Sequence, residues 1–322
     1  MNEIVQLKNL SKGKNSHSKN SPQPQIWVIA SGKGGVGKTF IASSLGITLS
    51  RLGKKVTLVD ADFGGANLHT FLGKNPSPMN IRYFFEGKKN LQEITEETAL
   101  PRLSLIQGVW ESWNPLDVSL DQSMIFMKAL KSLKTDIIIL DTSSGGHMSN
   151  LEFLRTADQR IIVSNTEPCS IEKTYRLIEN FICHVLKAGS TPEDYQQLIE
   201  LLRKQRTEEI FHTASFKTYL EKFPGIDISI FNKINSNPPN LIINSSRSHL
   251  DQDLGYSIRS VANKYFDLNI EYLSAINYDN AVWQASRTKE PVLIAQPFTP
   301  LTGQFTTICK HLVKMSSMMV AV

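Results

Sequence analysis

The chain reads as an α/β protein with a doubly wound, mostly parallel sheet and helices on both of its faces. Three observations predict this. Apolar strand-like runs recur at 26–31, 55–60, 103–107, 136–140, 160–164, 240–244 and 269–276. Several are apolar throughout rather than alternating, as in Ile137-Ile138-Ile139-Leu140, which fits strands covered on both faces. Helix-compatible stretches at about 38–52, 121–133, 171–187, 249–265 and 298–316 separate them, and such alternation favours right-handed crossover units. At 322 residues, 41% hydrophobic and 20% charged, the chain has a globular balance and enough length for one large domain.

Residues 1–24 are expected to form a flexible polar and basic tail, because the stretch from Lys12 to Pro22 is nearly free of apolar residues. The main domain is expected over 25–316. Within it, about 189–239 is polar and helix-prone, and Lys/Arg and Asp/Glu are equal in number from Lys187 to Asn240; it reads as a helical insertion beside the sheet or as a partner-binding module. Residues 317–322 read as an apolar C-terminal tail. The net charge of +5 is modest, and Lys8, Lys12, Lys14 and Lys19 against Glu3 place much of it in the tail, which gives weak support for nucleic-acid binding. No run approaches the roughly 18 apolar residues of a membrane span, and the N-terminus does not resemble a signal peptide, so a cytoplasmic protein is expected. Cys169, Cys183 and Cys309 are widely spaced without a C-x-x-C, and core packing is their expected role.

The first strand-like run leads directly into Gly32-Lys33-Gly34-Gly35-Val36-Gly37-Lys38-Thr39 and a helix. Gly32, Gly37, Lys38 and Thr39 meet the phosphate-loop pattern G-x-x-x-x-G-K-[ST], so a nucleoside triphosphate with Mg²⁺ is expected. In such a loop the backbone N–H groups wrap the phosphates and the helix N-terminus adds partial positive charge. The nucleotide-binding stretch is taken as Gly32, Lys33, Gly34, Gly35, Val36, Gly37, Lys38, Thr39 and Phe40. Lys38 is placed for the β- and γ-phosphate oxygens, and Thr39 for Mg²⁺.

Asp60-Ala61-Asp62 ends the strand at 55–60. Of these two carboxylates, one can hold Mg²⁺ through water and the other can orient an attacking water. Asp141 ends Ile137-Ile138-Ile139-Leu140 at the same sheet edge, where it can accept from Thr39 or from a Mg²⁺-bound water. Trp110 and Trp113 bracket a short loop after the run at 103–107 and read either as a partner site or as packing at the sheet edge.

Lys33 through Thr39, the Asp60-Ala61-Asp62 loop and Leu140-Asp141-Thr142-Ser143 together resemble the MinD/ParA branch of phosphate-loop ATPases, whose hallmark is the additional lysine. The resemblance implies a homodimer in which two subunits sandwich two ATP molecules. Lys33 would then act across the interface, Asp62 would orient the water, and Asp60 and Asp141 would lie near Mg²⁺ with Thr39. Asn244, ending Leu241-Ile242-Ile243, would read the adenine edge. Asp279, in Ile276-Asn277-Tyr278-Asp279, would lie near the base, although the family's proline is absent from that turn. Ala281 through Pro291 looks like the family's penultimate helix and turn.

The resemblance implies Mg²⁺-dependent, partner-stimulated ATP hydrolysis and an ATP-dependent dimerisation switch that positions a flagellum or a division site. Ser164-Asn165-Thr166-Glu167-Pro168 is similar to a segment of the flagellar-number regulators. The D-Q-A-x-x-L activator motif of their N-terminal tails is absent from residues 1–25. The implied partners are a second copy, a protein activator or effector, and a surface. The inner face of the plasma membrane is one candidate for that surface, although few cations accompany the apolar end of the chain. The alternative is a partition ATPase of the ParA type that binds DNA nonspecifically, with Arg247, Arg259, Lys264, Arg287, Lys310 and Lys314 as its basic surface.

Overall fold

In the computed structural model of the protein, residues 2–11, 23–111, 113–207 and 216–320 are described. The strands are β1 (Gln25–Ala30), β2 (Val56–Ala61), β3 (Glu96–Glu97), β4 (Leu103–Ile106), β5 (Ile137–Thr142), β6 (Gln159–Asn165), β7 (Asn240–Ser246) and β8 (Glu271–Asn277). They form one sheet in the order β3-β4-β2-β5-β1-β6-β7-β8. All neighbours run parallel except β3 and β4.

The helices are α1 (Asn2–Ser11), α2 (Lys38–Arg51), α3 (Leu68–Phe71), α4 (Arg82–Phe85), α5 (Leu120–Leu130), α6 (Met148–Thr156), α7 (Pro168–Ala188), α8 (Pro192–Thr207), α9 (Phe216–Leu220), α10 (Ile228–Ser236), α11 (His249–Phe266), α12 (Asn280–Thr288), α13 (Val292–Ala295) and α14 (Pro300–Val320).

The apolar strand runs are explained by two cores, one on each face of the sheet. Ile26, Val28, Ile138, Leu140, Leu241 and Ile243 point to one face and pack with residues of α5, α6, α7 and α11. The alternate residues Trp27, Ile29, Ile137, Ile139 and Ile242 point to the other and pack with α2 and α14. Side chains alternate across a strand, so a strand buried on both sides must be apolar at nearly every position. Helix starts follow local rules: Ser119 and Gln122 form a capping box at α5, and Ser248 and Asp251 one at α11.

Four expectations change. Residues 2–11 are not a free tail but a helix, with Leu7 fully buried and Ile4 packed beside it against the α4–α5 side of the core. The polar composition of the whole 1–24 stretch hides these apolar side chains; residues 12–22 lie outside the described residues. At the other end α14 runs on through residues 317–320, so the expected C-terminal tail begins inside a helix. Cys309 is buried and Cys183 half-buried, but Cys169 is exposed in the first turn of α7 rather than packed in the core. The expected strand set lacks β3, whose two residues carry no apolar pattern.

The described part of the 189–239 stretch holds α8, α9 and α10. Phe216 of α9 stacks edge-on against Phe231 of α10 and Phe266 of α11, so this segment shares the main core. Among the described residues no helix is long and apolar enough to cross a membrane.

Truncating Leu7 to Ala removes a fully buried side chain and is expected to cost α1 about 2–4 kcal/mol of its docking free energy. Limited trypsin digestion should then cut after Lys8 faster in Leu7→Ala than in the parent protein, and equal rates would show that α1 is not held by Leu7.

Candidate nucleotide site

β1 lies between β5 and β6, and the chain crosses to opposite sides of it. In open α/β sheets the crevice at such a reversal, beyond the strands' C-terminal ends, is where ligands bind. The loop from Ser31 to Gly37 opens there. Gly35 and Gly37 have φ of 80° and 95°, a region that side-chain-bearing residues rarely adopt. A Cβ on Gly37 would also collide with the Asn244 amide, and one on Gly32 with the backbone carbonyl of Lys173 in α7. Gly37 is the N-cap of α2 and provides no side-chain cap, so the first-turn N–H groups are left to face a ligand. Such a terminus is built to hold an anion.

Beneath the loop, β2 and β5 pair in register so that Asp60 and Asp141 are neighbours. Both are buried, at 1% and 2% exposure. Asp60 accepts from the N–H of Leu68 at 2.9 Å and of Asp62 at 3.2 Å, which ties the following loop to the strand end. Burial pushes the Asp60 carboxyl well above its usual range, and the charge of Asp141 pushes it further. Burial likewise raises Asp141 to about 6, against the opposing pull of the Thr39 hydrogen bond and the Lys38 charge. Lys38 is itself buried, which lowers its pKa, while Asp141 and Asp62 act to keep it charged.

One carboxylate oxygen of Asp141, Oδ1, is buried without a hydrogen-bond partner. An orphaned oxygen beside a second carboxylate and a threonine hydroxyl is a hard-donor set, and it fits Mg²⁺.

The structure thus brings Lys38, Thr39, Asp60, Asp62 and Asp141 together under the loop. Lys33 is half-buried and pairs with Glu167, the N-cap of α7, which holds its ammonium above the usual lysine range. Asn244 donates from Nδ2 to the Val36 carbonyl at 2.8 Å and so buttresses the loop. Asp279 caps α12 by accepting from Ala281 N–H at 2.8 Å through Oδ1. Phe40 can contribute only through its backbone. Its ring is buried edge-on against Phe305 at 5.6 Å, which leaves only its backbone N–H for a ligand.

Two residues not singled out from the sequence shape the same edge. Glu167 holds Lys33 across 134 positions of chain, and no local pattern signals such a pair. Asn150, buried in α6, donates to the Ser143 carbonyl at 3.0 Å and so fixes the loop after Asp141. Thr142 adds a bond to the Ile29 carbonyl at 2.8 Å, joining the two strand ends.

Comparison with known proteins agrees with this architecture. A family model described as an AAA domain matches residues 24–188. The flagellum site-determining protein YlxH of Helicobacter pylori is 35% identical over 186 residues, covering 55% of this chain and 61% of that protein. The antiactivator FleN of Pseudomonas aeruginosa is 31% identical over 166 residues, covering 48% of this chain and 55% of its own. The chain therefore aligns with little more than half the length of these relatives. Among solved structures, the septum site-determining protein MinD of Pyrococcus horikoshii, complexed with Mg-ADP, shares the fold with a TM-score of 0.60 at 18% identity, covering 92% of this chain and 98% of that one.

The raised carboxyl of Asp141 has a consequence for stability. A carboxyl whose folded pKa lies above its unfolded value binds extra protons when folded, so stability falls as pH rises from about 4 through about 6. Replacing Asp141 with Asn removes this term and is expected to stabilise the nucleotide-free protein by about 2–3 kcal/mol at pH 7.5, with little gain at pH 4. Urea unfolding at the two pH values measures the difference, and a gain independent of pH would contradict the assignment.

Proposed function

The chain belongs to the AAA-domain family, and we propose that within it the chain is a MinD/ParA-type phosphate-loop ATPase akin to the flagellar-number regulators, an ATP-dependent dimerisation switch which hydrolyses ATP and sets the number or place of a cellular structure. The observation that carries the reading is the buried group of Asp60, Asp141 and Lys38 under an uncapped helix N-terminus. A loop of that kind could hold any phosphate. Two buried acids with an orphaned oxygen and a buried lysine call for a phosphate together with a divalent cation.

In this reading the N–H groups of Gly34 through Thr39 bind the phosphates, and Lys38 pairs with the β- and γ-phosphate oxygens. Thr39, Asp60 and Asp141 would hold Mg²⁺, which supplies neutralisation of charge on the β- and γ-phosphates. Asp62, half-buried and electrostatically coupled to Lys38, accepts a hydrogen bond from a water and aims its oxygen at the γ-phosphorus. That attack breaks the bond to the ADP oxygen. Asn244 keeps the loop in shape through Val36 and has a second N–H and a carbonyl oxygen for the adenine edge. Asp279 serves the base side indirectly, by starting α12.

Lys33 acts on the partner subunit's phosphates, which requires it to leave Glu167. The pair is exposed enough for solvent to weaken it, so the exchange is easy. The names of the relatives, one a flagellum site-determining protein and the other an antiactivator, support a role in flagellar placement or number. The switch would work in the cytoplasm, with a protein effector and with the inner membrane face as a surface.

Three variants test the reading by ATP turnover and by light scattering with and without ATP. Asp62→Ala is expected to lose turnover by roughly a hundredfold yet still dimerise with ATP. Asp62→Ala combined with Lys33→Ala should bind ATP and stay monomeric. Lys38→Ala should lose ATP binding itself. A monomeric Asp62→Ala protein saturated with ATP would end the dimerisation part of the reading.

A further inference from the structure

The loop leaving the C-terminal end of β4 carries two tryptophans into solvent. Trp110 is 42% exposed and Trp113 78%, and their rings meet edge to face at 6.1 Å and 83°. This much exposed aromatic surface would ordinarily reflect a loosely held loop, but here Glu111, Asn114 and Leu116 are hydrogen-bonded through their backbones. Arg82 donates to the Asn114 carbonyl, Asn114 N–H donates to the Glu111 carbonyl at 3.1 Å, and Leu116 N–H donates to the Phe63 carbonyl at 2.9 Å. Leu116 and Val118 anchor the same segment against the core. Two indoles held at right angles form the walls of an open corner, and the faces of such rings attract cations.

The segment that carries the two tryptophans, residues 103–127, holds Glu111, Asp117 and Asp121 and no Lys or Arg. Asp117 in the loop and Asp121 in the first turn of α5 are exposed, and neither is in an ion pair among the described residues. Glu111 lies between the tryptophans, and the nearby Arg82 is turned toward it at 4.0 Å and bonded to Asn114. We propose that Trp110 and Trp113, with Asp117 and Asp121, form a docking surface for an arginine- or lysine-bearing segment of a partner protein.

Charge decides among the possible occupants. Anionic lipids and nucleic acids present phosphates, which these carboxylates repel, whereas a cationic side chain gains from the rings and from the acids together. The surface is also tied to the nucleotide edge. Leu116 is bonded to Phe63, the residue after Asp62, and Gly108 sits so close to Ala66 that no side chain fits between them. A partner docked here rests on the loop that carries Asp62.

The test titrates the full chain with a dye-labelled peptide of alternating Gly and Arg, a matching Gly and Glu peptide, and phosphatidylserine vesicles. The expected result is that the Arg peptide binds and the other two do not. Affinity for it should fall roughly tenfold in Trp110→Ala/Trp113→Ala and in Asp117→Asn/Asp121→Asn. Trp110→Phe/Trp113→Phe keeps aromatic faces and should retain part of the affinity, which separates loss of the rings from misfolding. Asp62→Ala should bind the Arg peptide normally, so this proposal and the ATPase reading fail separately. Failure of the Arg peptide to bind, equal affinity in the double-Ala variant, or vesicle binding that depends on the tryptophans would each overturn it.

Discussion

Two parallel strands in register set Asp60 beside Asp141 in the interior, and much of the site consists of what it takes to keep them there. Neighbouring buried carboxylates disfavour each other's charge, and neither can be left without compensation. Lys38 supplies part of it, Thr39 another part, and the N–H groups of Leu68 and Asp62 the rest. Two acids against one lysine still leave an excess of negative charge in a dry place. A divalent cation would meet that excess at the unpartnered oxygen of Asp141, while the uncapped N-terminus of α2 offers its N–H groups to an anion.

How much of this was legible in the sequence depends on the range of the interaction. The strand runs were readable because burial on both faces leaves an apolar signal at each residue, as in Ile137 to Leu140. The phosphate loop was readable because its glycines answer a local backbone demand. Contacts between distant parts of the chain left no such trace. The pairing of Lys33 with Glu167 and the support that Asn150 gives the loop after Asp141 depend on how α7 and α6 are laid against the sheet. Asp279 illustrates a local signal: a carboxylate just before a helix caps it, and Asp279 does so for α12. Residues 2–11 are obscured by averaging over a polar stretch, in which Leu7 fills a place in the core and Ile4 packs beside it.

The aromatic packing under the site explains why its loops belong together. Phe63 follows Asp62 and meets Phe85 at 5.4 Å and Phe153 at 6.2 Å, and Phe126 closes the group from α5. Through these rings the Asp62 loop touches α4, α5 and α6, and through Leu116 it touches the tryptophan loop. Interiors packed at this density do not deform smoothly, so a shift of Asp62 must be shared by neighbours or prevented by them. An occupant of the tryptophan corner and a ligand at the phosphate loop would therefore bear on the same few residues.

Lys33 has the most conspicuous position, yet magnitudes limit what it can do alone. Turning a two-state population from mostly one form to mostly the other takes about 5.5 kcal/mol of differential affinity. In the proposed switch Lys33 would give up its pair with Glu167 for a phosphate across the interface, and exposed ion pairs contribute little. Glu167 does not lose all support when the lysine departs, because it sits at the N-terminus of α7, where the helix favours a carboxylate. The exchange is therefore nearly balanced in the protein, and the larger share of the driving force must come from the buried set. A divalent cation would relieve Asp60 and Asp141 there, and ligand phosphates would meet Lys38, where charge interactions are screened least. In the proposed switch, Lys33 would therefore report a nucleotide already bound by one subunit to the other, with the main binding free energy supplied by the buried set.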